Sequence, residues 1–105
     1  MTIRRGKALV VDDDPAVQQL LSRLLDQALF FCFAAANGPQ ALEEASREQF
    51  DVVLLDVGLP GMSGVEVLQR LRVSQPDACF LMVAGMADVA TAVEAMRLGA
   101  YDYIT

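Results

Sequence analysis

The sequence predicts a doubly wound α/β domain, in which a parallel β-sheet is covered by helices on both faces. Three observations carry this. Short apolar runs recur along the chain: KALVV, FFCFAA, VVLLD and CFLMV. Segments with helical spacing of apolar residues separate them. The inner runs are apolar at every position, as strands covered on both faces must be. Alternation of this kind feeds right-handed crossovers between parallel strands.

Taken in order, Lys7–Val11 is the first strand. From Pro15 to about Leu29, apolar residues fall at Val17, Leu20, Leu21, Leu24, Leu25 and Ala28, the spacing of a helix with one buried face. Asp14 before Pro15 is a good cap followed by a good first helical residue. Phe30–Ala35 reads as the second strand, and Asn37-Gly38-Pro39 as a turn opening a helix to about Glu48. Val52–Asp56 is the third strand and Gly58–Gly64 (GLPGMSG) a loop. Ser63 and Glu66 form a capping-box pattern that opens a helix to about Val73. Cys79–Val83 is the fourth strand. Asp88 can cap a helix through Leu98, with Val89, Ala92, Val93 and Met96 inward and Gly99 as its stop. YDYIT is the fifth strand. The expected sheet is five-stranded with the flavodoxin-like order 2-1-3-4-5. A helix should follow the fifth strand and return over the sheet. The expectation is therefore one domain over residues 1–105, truncated before its last helix, with part of one sheet face uncovered and prone to association.

Composition narrows the function classes. The chain has 105 residues, of which 54% are hydrophobic, enough for one core and against disorder. No apolar run reaches membrane-span length, and the start MTIRRGK lacks the apolar stretch of a signal peptide, so a cytoplasmic location is expected. A net charge of -6 with scattered arginines argues against a nucleic-acid surface on this segment. The segment has no histidine, which excludes histidine-based catalysis and histidine-ligated metal from it. Cys32 and Cys79 lie in apolar runs and are expected to be buried free thiols.

The stretch VVDDDPA, Val10 to Ala16, sets three carboxylates side by side after an apolar strand. Close like charges repel, and each must be solvated or paired. Helix capping accounts for Asp14 and for none of the others. In a parallel sheet, ligands bind at the carboxyl ends of the strands, at the switch point in strand order. With the first and third strands adjacent, about 4.8 Å apart, Asp56 lands close to Asp12 and Asp13. Three clustered carboxylates suit a hard divalent cation held by oxygen ligands, Mg²⁺ above all. An aspartate can also attack phosphorus and become an acyl phosphate.

ALVVDDDPAV, DVVLLDVGLPGMSGVEVL and DVATAVEAMRLGAYDYIT together resemble the receiver domain of bacterial two-component response regulators. The last string is most similar to receivers attached to AAA+ transcription activators. The resemblance covers almost the whole chain. It implies that Asp12 and Asp13 are the acidic pair that binds Mg²⁺ and that Asp56 is the phosphoacceptor, charged by a sensor histidine kinase. It implies further that the backbone carbonyl of Gly58 is a metal ligand beside Asp56, that Pro60 and Gly61 belong to the loop after the acceptor, and that Tyr103 is the switch aromatic. The switched surface would be that of the fourth helix and fifth strand, facing an effector domain or a second receiver, with a homodimer as one form. Neither nucleic acid nor membrane is an expected partner of this domain. Such a receiver assists its own phosphorylation and dephosphorylation without acting on free substrates.

Two departures from the family pattern stand out. Ala84 occupies the place where the family has Thr or Ser, and alanine cannot donate a hydrogen bond to a phosphoryl oxygen. A lost bond to a charged group is worth roughly 1.5–3 kcal/mol, large against a switching equilibrium of a few kcal/mol. The family's phosphate-pairing lysine would follow Thr105. Lys7 is the only lysine in the segment; it lies about 16 Å from Asp12 along an extended strand and cannot stand in. A second reading is accordingly a degenerate receiver, an interaction module independent of phosphorylation. A third is a haloacid-dehalogenase-type phosphatase, for which Asp12 and Asp14 have the spacing but no later lysine or acidic pair is available.

Overall fold

A computed structural model of the chain describes residues 6–83 and the backbone of residues 102–104. The strands are β1 (Gly6–Val11), β2 (Phe30–Ala35), β3 (Val52–Asp56), β4 (Cys79–Val83) and β5 (Asp102–Ile104). The helices are α1 (Pro15–Gln27), α2 (Gly38–Arg47) and α3 (Gly64–Ser74). All strand pairs are parallel and the sheet order is β2-β1-β3-β4-β5, as expected from the sequence. The helix expected from Asp88 to Leu98 lies outside the described residues.

The core lies between the sheet and the α2–α3 layer. Leu9 and Val11 of β1, Val53 and Leu55 of β3, and Phe80 and Met82 of β4 share one sheet face and pack with Val67, Leu68 and Leu71 of α3. The two-residue period of a strand puts these alternate positions on one side. Phe33 meets Phe50 edge to face at 5.4 Å between ring centroids. Beneath this core, Gln75 is 1% exposed and fully bonded: its side-chain oxygen accepts from the Phe50 amide, and its side-chain nitrogen donates to the carbonyls of Ala45 and Glu48.

The other sheet face differs from expectation. α1 packs on β2 and β1, but none of its residues is buried; Leu20 is 56% and Leu24 53% exposed. The apolar arc predicted for this helix is wider than the surface it covers. Cys32 and Cys79 are free thiols as expected, yet each is half-buried rather than buried. Cys32 donates from Sγ to the Ser22 carbonyl of α1. α1 also ends at Gln27, short of the expected Leu29, because Leu29 turns into the left-handed region at φ 70°. No helix among the described residues is long and apolar enough to cross a membrane.

Candidate functional site

The carboxyl ends of β1 and β3 are neighbours because Val11 pairs with Leu55. The residues that follow, Asp12 and Asp56, therefore emerge side by side. Asp12 is 5% exposed. Its amide donates to the Ala35 carbonyl at 3.1 Å and extends the β1–β2 ladder by one step. One of its carboxylate oxygens accepts from the Asp14 amide at 2.9 Å, closing a tight turn that launches α1. Asp14 then caps the helix through the Ala16 amide at 2.9 Å, as its place before Pro15 predicts. Asp13, between them, is exposed. Asp56 is half-buried and accepts from the Gly58 amide at 2.9 Å.

Asp12, Asp13 and Asp56 each present a carboxylate oxygen, and the three oxygens lie within 4.8 Å of one another. Among the described residues no cation pairs with any of them. Burial pushes the Asp56 carboxyl above the ordinary value of 3.8; the Gly58 amide pulls it back, while the charges of Asp12 and Asp13 push it further up. Asp12 is raised for the same first reason, against the stabilising amide of Asp14. The cluster is thus a concentration of hard oxygen donors without a counter-charge among the described residues, the donor chemistry that fits a hard divalent cation. The residues present fit such an ion: Asp12, Asp13 and Asp56 would hold it.

Two residues that shape this site are given no role by the sequence reading, although Gly64 closes its GLPGMSG loop. Gly64 opens α3 directly against the end of β3. A Cβ there would stand 2.5 Å from the Asp56 carbonyl oxygen and 2.6 Å from the Val57 Cα. Gln18, in the first turns of α1, donates from its side-chain nitrogen to the Asp12 and Ala35 carbonyls, each at 3.2 Å. The loop between Asp56 and α3 turns at Gly61, whose φ of 74° suits glycine. Pro60 lies in the same loop and is exposed. Ser63 caps α3 by accepting from the Glu66 amide, as expected, while the Glu66 carboxylate faces Arg70.

Lys7 sits at the opposite end of β1, paired with Glu48. Ala84 lies outside the described residues. Tyr103 is placed by its backbone alone, opposite Met82 in the β4–β5 ladder.

Such a fold and site define a class. Residues 8–105 match the family described as the response regulator receiver domain, and the chain belongs to that family. Its relatives include the response regulator protein PilR of Pseudomonas aeruginosa, 35% identical over 101 residues, and the transcriptional regulatory protein FixJ of Bradyrhizobium diazoefficiens, 37% identical over 100 residues. These alignments cover 96% and 95% of this chain but only 23% of PilR and 49% of FixJ. A crystal structure of a response regulator from Burkholderia pseudomallei, with a phosphorylated aspartic acid, a calcium ion and citrate, superposes with a TM-score of 0.86 at 35% identity. That match covers 93% of this chain and 58% of the other. Receiver domains are regulatory phosphoacceptor modules that bind a divalent metal at an acidic pocket.

Proposed function

We propose that this chain is a phosphoacceptor switch of a two-component system, phosphorylated on Asp56 by a sensor histidine kinase in the presence of Mg²⁺. The observation that carries the reading is the meeting of Asp12, Asp13 and Asp56 within 4.8 Å at the carboxyl edge of the sheet. In the reaction an Asp56 carboxylate oxygen forms a bond to phosphorus. The bond from phosphorus to the imidazole nitrogen of the kinase phosphohistidine breaks, and that nitrogen keeps the electron pair. A divalent cation, when bound, would supply neutralisation of the charge on the transferring group. Asp12, Asp13 and Asp56 would hold the cation, joined in this reading by the Gly58 carbonyl. The Gly58 amide fixes the orientation of the Asp56 carboxylate, and the first turn of α3 at Gly64 fixes its backbone.

The output of the switch is a change of the surface formed by the fourth helix and fifth strand around Tyr103, read by an effector domain or a second receiver. One feature of the sequence favours the alternative of a phosphorylation-independent interaction module: Ala84 removes the hydroxyl that would bind the phosphoryl group. Intact mass after incubation with Mg²⁺ and acetyl phosphate, beside an Asp56→Asn control, tests the acceptor chemistry. A gain of one phosphoryl group by the native chain alone is expected. A folded, Mg²⁺-binding protein that gains none overturns the reading in favour of the alternative.

A further inference from the structure

Gln18 is placed where a helix side chain can act on the carboxylate cluster without touching it. It lies on α1, one turn beyond the Asp14 cap, and it is half-buried. Its single side-chain nitrogen carries two hydrogens, and two carbonyls receive them: Asp12 at the end of β1 and Ala35 at the end of β2, each at 3.2 Å. The Ala35 carbonyl also accepts from the Asp12 amide at 3.1 Å. The backbone of Asp12 is therefore gripped through its amide by β2 and through its carbonyl by α1. The Asp14 amide grips its side chain. The grip on the amide follows from the strand, and the grip on the side chain from the turn. Gln18 adds one from six residues away, and its function in the fold is otherwise unassigned: it is not a cap and not part of the core.

We propose that Gln18 is a positioning residue for divalent-cation binding, which it serves by locking the Asp12 backbone so that the carboxylate meets those of Asp13 and Asp56 before the ion arrives. The inference rests on the reading of the cluster as a cation site. A site of hard ligands gains affinity when its ligands are held in place by hydrogen bonds behind them, and removing such a partner typically costs about 10–100-fold in affinity. Gln18→Met keeps the length and apolar stem of the side chain and removes both donors. Gln18→Arg keeps N–H donors on a longer stem. Gln18→Glu is a second side chain of nearly the same size that, when ionised, accepts and does not donate.

The test is a Mn²⁺ titration followed by electron paramagnetic resonance of the free ion, on the native chain, Asp12→Asn and the three Gln18 variants. Urea unfolding of each without metal runs in parallel. The expected result is about tenfold weaker Mn²⁺ binding in Gln18→Met and Gln18→Glu, near the low end of the range for outer partners of metal ligands, with affinity restored in Gln18→Arg. A merely structural role lowers the urea midpoint of Gln18→Met and leaves the affinity of its folded form at the native value; that outcome overturns the inference and leaves the cation site standing. Native binding no tighter than that of Asp12→Asn overturns the cation site itself, and the inference with it.

Discussion

Gly64→Ala is the substitution whose cost the structure defines most sharply. The added methyl group would stand 2.5 Å from the Asp56 carbonyl oxygen, 2.6 Å from the Val57 Cα and 3.2 Å from the Asp56 carbonyl carbon. All three are backbone atoms of the segment Asp56–Val57, so no flexible side chain can swing aside. Separations below about 3 Å must be relieved by moving α3 away from the sheet or by displacing Asp56. Overpacking of this kind costs about 1–3 kcal/mol. Replacing glycine by alanine recovers about 0.4–1 kcal/mol through the less flexible unfolded chain, which leaves a net loss of about 1.3 kcal/mol at the midpoints of the two ranges and about 2.6 kcal/mol at most. With a urea dependence of about 2 kcal/mol/M, the unfolding midpoint should fall by roughly 0.6 M. The assay is equilibrium urea unfolding of the metal-free protein, with the backbone amide resonances of Asp56 and Val57 followed in the folded baseline. Both resonances should move, since relief of the clash passes through them. A Gly64→Ala protein as stable as the native one, with those two resonances in place, would refute the reasoning.

The remaining expectations concern charge and the buried amide. Because Asp12 and Asp56 have folded-state values raised above 3.8, the folded state binds protons more tightly than the unfolded one. Their ionisation therefore destabilises the metal-free fold at neutral pH. This penalty is relieved as pH falls through the raised values and is gone below 3.8. In chelator, Asp56→Asn should accordingly raise the urea midpoint at pH 7 and weaken its gain on mild acidification. Mg²⁺ should stabilise the native chain at pH 7 and lose that effect as the carboxyls protonate, readable as a thermal shift at each pH. Gln75→Leu leaves the Phe50 amide and the Ala45 and Glu48 carbonyls without their partner, at a cost of about 2–4 kcal/mol. Since Gln75 sits at the far end of the sheet, Mn²⁺ affinity measured in the folded state should stay at the native value.

The strands were legible because a buried parallel strand writes itself as an uninterrupted apolar run: Phe30–Ala35, Val52–Asp56 and Cys79–Val83 stand at the boundaries read from the sequence. So was the meeting of Asp56 with Asp12 and Asp13, which follows from strand order alone. Where the reading missed, tertiary context decided. The end of α1 was placed too late because Ala28 and Leu29 continue the apolar pattern, and a leucine at φ 70° gives none of the warning that a glycine would. The same helix keeps Leu20 and Leu24 exposed because periodicity reports which face is apolar and is silent on how much of that face finds a partner. Gln18 reads as a good helix former on a solvated face; its importance comes from two strand ends lying beneath it. Gly64 is indistinguishable by sequence from a flexible loop residue until the proximity of the Asp56 backbone is seen.

One residue ties three strands together at the amino end of the sheet. At the amino ends of the strands, the Asp51 amide donates to the Lys7 carbonyl, the Asp51 side chain accepts from the Lys7 amide, and the Cys79 amide donates to the Asp51 carbonyl. The Lys7–Glu48 pair and the Gln75 amide lie at the same end. Asp51 thereby rivets β1, β3 and β4 to one another just before β3 begins. Strands pinned in this way cannot slide past each other to absorb a disturbance at their opposite ends. On the proposed reading, a charge added at Asp56 would act on a sheet whose opposite end Asp51 holds like a fulcrum.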